Sequence, residues 1–193
     1  MPGPGARFFS AVSSALGGLP FVAEDLGLIT PEVGALRDRF CLPGMRVLQF
    51  AFDGRPDNPH LPSNYVANTV VYTGTHDNAT TRGWFEELPE RQRQNLRNYL
   101  KPLAAKECGA ASALVELAWS SVAALAMAPL QDILNLGNEA RMNLPGRAEG
   151  NWRWRCTKDK LMGPAFQWLH DVTAAANRGV ARTAPGGAQG ETP

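Results

Sequence analysis

Two patterns of apolar positions alternate along the chain: short continuous runs, and longer stretches in which apolar residues recur every three to four positions. Residues 7–17 read as a helix that stops at Gly17-Gly18, and Pro20-Phe21-Val22-Ala23 is an abrupt apolar run short enough for a buried strand. Thr30-Pro31-Glu32 predicts a helix start, with Thr as the cap, Pro in the first helical position and Glu facing the positive helix end. Val33, Leu36 and Phe40 then follow at helical spacing until Leu42-Pro43-Gly44 interrupts them. Residues 45–52 form a second strand candidate. Residues 53–68, rich in Pro, Asn and Asp without a period, predict a loop. Thr69-Val70-Val71-Tyr72-Thr73 is the clearest strand, β-branched almost throughout. Beyond it the pattern predicts helices near 80–87, from Pro89 onward and over 111–125, and a fourth strand near 126–130. A closing helix over 158–178 carries Leu161, Phe166, Leu169 and Val172 as its apolar face, and the Gly/Pro/Ala-rich residues 179–193 read as a disordered tail. There is no internal repeat.

Near-continuous apolar strands alternating with helices argue for an α/β fold with a parallel sheet covered by helices. Four such units could form a doubly wound sheet, or half of an eight-unit barrel of about 250 residues; the pattern does not choose between them. Composition narrows the partners. The 193 residues carry 19 Lys+Arg against 18 Asp+Glu, so no basic excess marks a nucleic-acid or anionic-membrane surface. No apolar run approaches the roughly 20 residues that span a bilayer. Cys41, Cys108 and Cys156 are an odd number without metal-site spacing and read as reduced, mostly buried thiols, which with the lack of a clear signal peptide suggests the cytoplasm. The histidines His60, His76 and His170 show no ligand spacing, so no metal is expected.

In α/β architectures polar chemistry gathers just beyond the C-terminal ends of parallel strands. Each strand candidate delivers an acid there: Glu24 and Asp25, then Asp53, Asp77 and Asp132. A ring of carboxylates over one sheet face suits acid/base work. Thr75-His76-Asp77-Asn78 is the most polar of these clusters. Asn151-Trp152-Arg153-Trp154-Arg155 interleaves aromatics and cations at period two, which fits a strand, while exposed Trp faces would suit the apolar edges of sugar rings.

These residues, taken together, resemble the 4-α-glucanotransferases, also called amylomaltases or disproportionating enzymes. The resemblance is carried by Ala23-Glu24-Asp25-Leu26-Gly27 with Thr30-Pro31-Glu32-Val33, by Pro43-Gly44-Met45 through Gln49-Phe50-Ala51-Phe52-Asp53, and by Tyr72-Thr73-Gly74-Thr75-His76-Asp77-Asn78 with Thr80-Thr81. It continues through Glu139-Ala140-Arg141-Met142-Asn143 and Gly150-Asn151-Trp152, and so covers most of residues 8–155. It implies a (β/α)8 barrel that cleaves an α-1,4-glucan and passes the glycosyl segment to a new acceptor hydroxyl through a covalent intermediate, without a cofactor. Retention of this kind needs a nucleophile and an acid/base about 5–5.5 Å apart. By resemblance Glu24 is the acid/base and Asp77 the acid that stabilises the oxocarbenium-like transition state, while His76, Asp53 and Asn151 contact substrate hydroxyls. The implied partners are malto-oligosaccharides and α-1,4-glucans.

Two departures stand out. The family's nucleophile is an Asp in an Arg-x-Asp-His segment preceding the strand of Glu24, and no such segment occurs in these 193 residues. At Ala79 the family usually carries a polar or acidic residue. The expectation is therefore the C-terminal half of a barrel, about four βα units over residues 1–178, inactive alone. Its open sheet edges would associate with the missing N-terminal half or with another copy. A non-catalytic glucan-binding module and one half of a split transferase are the alternatives, and a plastid is the alternative compartment.

Overall fold

Gly44–Val47 (β1), Thr69–Tyr72 (β2) and Leu125–Met127 (β3) pair side by side as a parallel sheet in that order in the computed structural model, which describes residues 3–101 and 109–179. The register sets Met45 against Val70 and Val70 against Leu125. β2 is central, and its Val70 and Val71 are buried, as a strand covered on both faces requires. The expected first strand shrinks to a single parallel bridge, Ala23 to Gly44. Pro20 has no amide to donate, and among the described residues nothing lies beyond this segment to complete a ladder, so Phe21 and Val22 are left exposed.

Helices Thr81–Glu87 (α3), Glu90–Leu100 (α4) and Ala110–Ser120 (α5) form where the pattern places helices near 80–87, from Pro89 onward and from 111. Thr80 caps α3 by accepting the Gly83 amide at 3.2 Å. Leu114 and Leu117 on α5, Leu96 on α4 and Leu88 bury against Leu48, Phe52 and Val71. Burial of a side chain of this size stabilises by about 1.5–3 kcal/mol, so this cluster is the main source of cohesion. Helices Ala6–Leu16 (α1) and Pro31–Arg39 (α2) contain no buried residue, and Val33 is 48% exposed. Of the helically spaced Val33, Leu36 and Phe40, Val33 is left exposed while Leu36 and Phe40 are half-buried, the Phe40 ring 5.2 Å from that of Phe9 on α1. Thr30 stands at the N-cap of α2 without a side-chain capping bond, and Pro31 takes the first helical position.

Several boundaries differ from the pattern for local reasons. The run 45–52 is strand only to Val47 and then turns through a 3-10 helix, Leu48–Phe50. The Gln49 amide there donates to the Thr73 carbonyl and the Gln49 side chain dips to the Ala79 carbonyl. α5 ends at Ser120, five residues early, because the Ser120 and Ser121 hydroxyls turn back to the Leu117 and Ala118 carbonyls. The Arg178 guanidinium covers the carbonyls of Trp119, Ser121 and Ala123. β3 consequently starts at Leu125 and is followed by a short helix, Leu130–Ile133 (α6). The closing helix splits into a 3-10 turn, Lys158–Met162, and Pro164–Ala175 (α7), since a proline disfavours helical backbone at the residue before it, here Gly163. Residues 151–155 form no strand. Cys41 is exposed and Cys156 half-exposed rather than buried, both as free thiols, while Cys108 and the tail residues 180–193 lie outside the described residues. No helix among the described residues is long and apolar enough to cross a membrane.

Asp25 joins the bridge segment to the sheet. Its carboxylate accepts the Met45 amide at 2.6 Å and pairs with Arg37 and with Arg46, and its side chain is only 5% exposed. Gly44 must lack a side chain here, because a Cβ would meet Asp25 Oδ2 at 2.6 Å. Burial pushes the Asp25 carboxyl up, but the Met45 amide, Arg46 and Arg37 outweigh it and hold it below the ordinary aspartate value. A depressed folded value means that Asp25 stabilises the fold above the unfolded pKa of about 3.9 and stops doing so as pH falls through the folded one. Asp25→Asn is therefore expected to lower urea stability by about 1–3 kcal/mol at neutral pH. The gap to the parent chain should hold down to about pH 5 and close below about pH 4; a gap independent of pH would remove the ion cluster as its cause.

Candidate active site

A cleft of about 820 Å3 opens at the C-terminal ends of the strands, where the chain leaves the Ala23 bridge, β1, β2 and β3 in turn. Glu24, Tyr72, His76, Asp77, Arg141 and Trp152 line it. A tight turn places the first of these: the Asp25 amide donates to the Ala23 carbonyl at 2.9 Å around Glu24, and while Asp25 turns down to Met45 and the arginines, Glu24 lines the cleft. Glu24 is exposed, and its charge reaches Tyr72. The Tyr72 phenol is raised above its ordinary value, first by burial and then by the Glu24 carboxylate.

The loop after β2 carries the other acid. Gly74 approaches the Gln49 side chain so closely that a Cβ would lie 2.6 Å from Nε2. Asn78 Oδ1 then accepts both the amide and the hydroxyl of Thr75, at 2.9 and 2.7 Å, which turns the chain and throws His76 and Asp77 outward. Their side chains are 58% and 49% exposed, with His76 Nε2 3.3 Å from Asp77 Oδ1. Trp152 flanks them, its ring centroid 5.1 Å from that of His76. It is held at φ +62° by the preceding Gly150 at φ +84° and by its amide on the Met142 carbonyl at 2.7 Å. A non-glycine residue in this conformation costs on the order of 1–2 kcal/mol, and cost of this kind collects where a side chain must be aimed.

The expected ring of five carboxylates resolves into two that face the cleft and three that do not. Glu24 and Asp77 line it, with His76. Asp25 is spent on the ion cluster beneath. Asp132 is 1% exposed and accepts Thr73 Oγ at 2.6 Å, the Thr81 amide at 2.7 Å and Thr81 Oγ at 2.6 Å, tying the end of β2 to the start of α3. Asp53 closes its own loop: the Arg55 amide at 3.0 Å is the main reason its carboxyl lies below the ordinary aspartate value. Asn151 likewise serves its loop, with Oδ1 on the Leu144 amide at 2.9 Å and Nδ2 on the Arg147 carbonyl at 2.9 Å. Neither Asp53 nor Asn151 is part of the cleft lining.

Tyr72, Arg141 and Asn143 fall within the stretches that carry the resemblance, but sequence reasoning gave none of them a role in the site. The signal for Tyr72 was the one aromatic ring ending a β-branched strand. Arg141 and Asn143 lie in a stretch without a period, and only the fold carries them to the loop after β2. Among the described residues no group of three or more His, Cys, Asp and Glu side chains could hold a metal ion.

The chain is thus of the parallel α/β class, with two carboxylates and aromatic rings over the strand ends, the face at which such folds bind ligands. The model of the 4-alpha-glucanotransferase family matches residues 1–160. Over 162 residues the chain is 59% identical to a 4-alpha-glucanotransferase of Synechocystis, covering 83% of this chain and 32% of that protein. It is 49% identical over 180 residues to a chloroplastic/amyloplastic 4-alpha-glucanotransferase of Solanum tuberosum, covering 91% and 31%. A solved amylomaltase from Streptococcus agalactiae, in complex with acarbose, superposes with a TM-score of 0.87 at 33% identity over 93% of this chain and 36% of that one. The chain belongs to the 4-alpha-glucanotransferase family. It spans about a third of the length of these relatives.

Proposed function

We propose that the chain supplies the acid/base side of a retaining 4-α-glucanotransferase site, within about four βα units of a (β/α)8 barrel that residues 1–178 belong to. Glu24 donates its proton to the glycosidic oxygen as the C–O bond breaks, and the glycosyl carbon passes to a nucleophilic carboxylate supplied from outside these 193 residues. In the second half Glu24 takes the proton of the acceptor sugar hydroxyl, whose oxygen forms the new glycosidic bond as the bond to the nucleophilic carboxylate breaks and frees it. Asp77, with His76 beside it, accepts hydrogen bonds from sugar hydroxyls and stabilises positive charge at the reacting carbon. Asp53 and Asn151 act one step back, by shaping the loops that border the cleft.

The observation that carries this reading is that Glu24 and Asp77, about fifty positions apart in sequence, face one cleft edged by Tyr72 and Trp152. Support for a glucan-like ligand comes from the acarbose complex of the Streptococcus agalactiae relative. The exposed Leu125 and Met127 on edge strand β3 and the uncovered α1 and α2 support completion by further chain. The compartment is proposed as cytoplasm or plastid.

The test is glucose release from maltotriose. The chain alone should release none, and release should begin when a polypeptide carrying the Arg-x-Asp-His part of a family barrel is added. Release by the chain alone would show that its own residues supply the nucleophile. Acarbose binding by the chain that survives Glu24→Gln but not Trp152→Ala, without any release on complementation, would instead make it a binding module.

A further inference from the structure

Asp77 presents a geometric problem that its own loop does not solve. A half-exposed aspartate on a loop has two free side-chain torsions, whereas a carboxylate that must meet a sugar from one side needs a fixed orientation. The solution comes from 66 residues further along the chain. Asn143 Nδ2 donates to Asp77 Oδ1 at 2.6 Å, and the Asn143 amide donates to the His76 carbonyl at 3.1 Å. Arg141 braces the same unit: Nη2 donates to the Asp77 carbonyl at 2.6 Å and Nε to the Asn143 carbonyl at 2.8 Å. The carbonyl of Met142, between them, receives the Trp152 amide.

We propose that Asn143 is the positioning residue of Asp77, holding one carboxylate oxygen so that the other is turned to the substrate. Oδ1 is taken by Asn143, with His76 Nε2 nearby, and among the described residues no donor reaches Oδ2. An amide suits this task because it donates without bringing charge. A lysine there would neutralise the acid, and a carboxylate would compete with it for the proton. The charged and titratable groups that share the cleft with Asp77 are His76 on its own loop, the Arg141 guanidinium from the 139–143 segment, Tyr72 at the end of β2, and Glu24 from the Ala23 bridge.

This inference rests on the glucanotransferase reading, and the experiment separates the two. A thermal midpoint is measured for the 193-residue chain, N143L and N143D, and turnover for each in the complemented enzyme. N143L removes the donor and leaves the Asp77 carboxylate free to turn. N143L should lower kcat by about 10²-fold with little change in KM. N143D, nearly isosteric, sets a second carboxylate against Asp77 Oδ1 in place of the donor and should lower kcat as well, again with little change in KM. Unchanged kcat in both variants, with only the midpoint lowered, would make Asn143 a loop anchor and overturn the proposal. Full turnover by Asp77→Asn would overturn the reading beneath it instead.

Discussion

Glu24→Gln in the complemented enzyme is expected to cut kcat/KM for transfer from maltotriose by about 10²–10⁴-fold, the range that positioned proton transfer supplies. Gln keeps the shape and exposure of Glu24 but can neither protonate the glycosidic oxygen nor accept the incoming hydroxyl's proton. The loss should depend on the leaving group: a glycosyl fluoride needs no acid, so its first step should be nearly as fast in the variant as in the parent. A second, catalysis-free readout belongs to the same change. The Tyr72 phenol is raised by burial first and by the Glu24 charge second, so removing the charge lets it titrate at lower pH, though burial keeps it above the ordinary value. Equal losses with the fluoride and the oligosaccharide would mean that Glu24 is not the acid. A Tyr72 titration left in place would mean that the two side chains do not share the cleft.

Asp132→Ala should produce the largest loss of stability of any single change outside the apolar core, about 3–5 kcal/mol. The carboxylate is nine-tenths and more buried and accepts three hydrogen bonds, each from a group that is itself buried: the hydroxyls of Thr73 and Thr81 and the Thr81 amide. Truncation leaves all three donors without a partner in a site closed to water. For a chain of this size that corresponds to a fall in thermal midpoint of roughly 10 °C. Pairing Asp132→Ala with Thr73→Val in a double-mutant cycle should show strong coupling, since one partner already lacks the bond when the other is removed. Additive losses would mean that Thr73 and Asp132 do not depend on each other. Because Thr73 and Thr81 bracket the loop that carries His76 and Asp77, the same variant should also loosen that loop.

The chain shows plainly which levels of structure a linear reading reaches. β2 was legible because Thr69-Val70-Val71-Tyr72 is β-branched and apolar on both faces, a local property that survives in the central strand. α3, α4 and α5 were legible because a cap, a proline and an apolar period each act within one turn or two. The end of α5 was misplaced by five residues: the Ser120 and Ser121 hydroxyls that turn it are local, but the carbonyls beyond it are covered by Arg178, 57 residues after Ser121. The first strand was read from an apolar run that is present, yet a strand needs neighbours, and here it has one residue of ladder.

The site divides in the same way. That Glu24, His76 and Asp77 are chemistry-bearing residues at strand ends follows from their types, their places after apolar runs and the motifs around them, all of which lie within a few positions. What each carboxylate does was decided in three dimensions. Asp25, Asp53, Asp77 and Asp132 look alike as acids that follow strands, and their fates differ with the donors that long-range packing brings to them. Two arginines and an amide meet Asp25, its own loop's amide meets Asp53, and buried threonines meet Asp132. For Asp77 the donor is a distant asparagine that leaves one oxygen free. Side-chain type and short-range period are properties of the chain itself, whereas the partner that fixes a carboxylate's role is a contact between segments dozens of residues apart, which exists only once the sheet has aligned their ends.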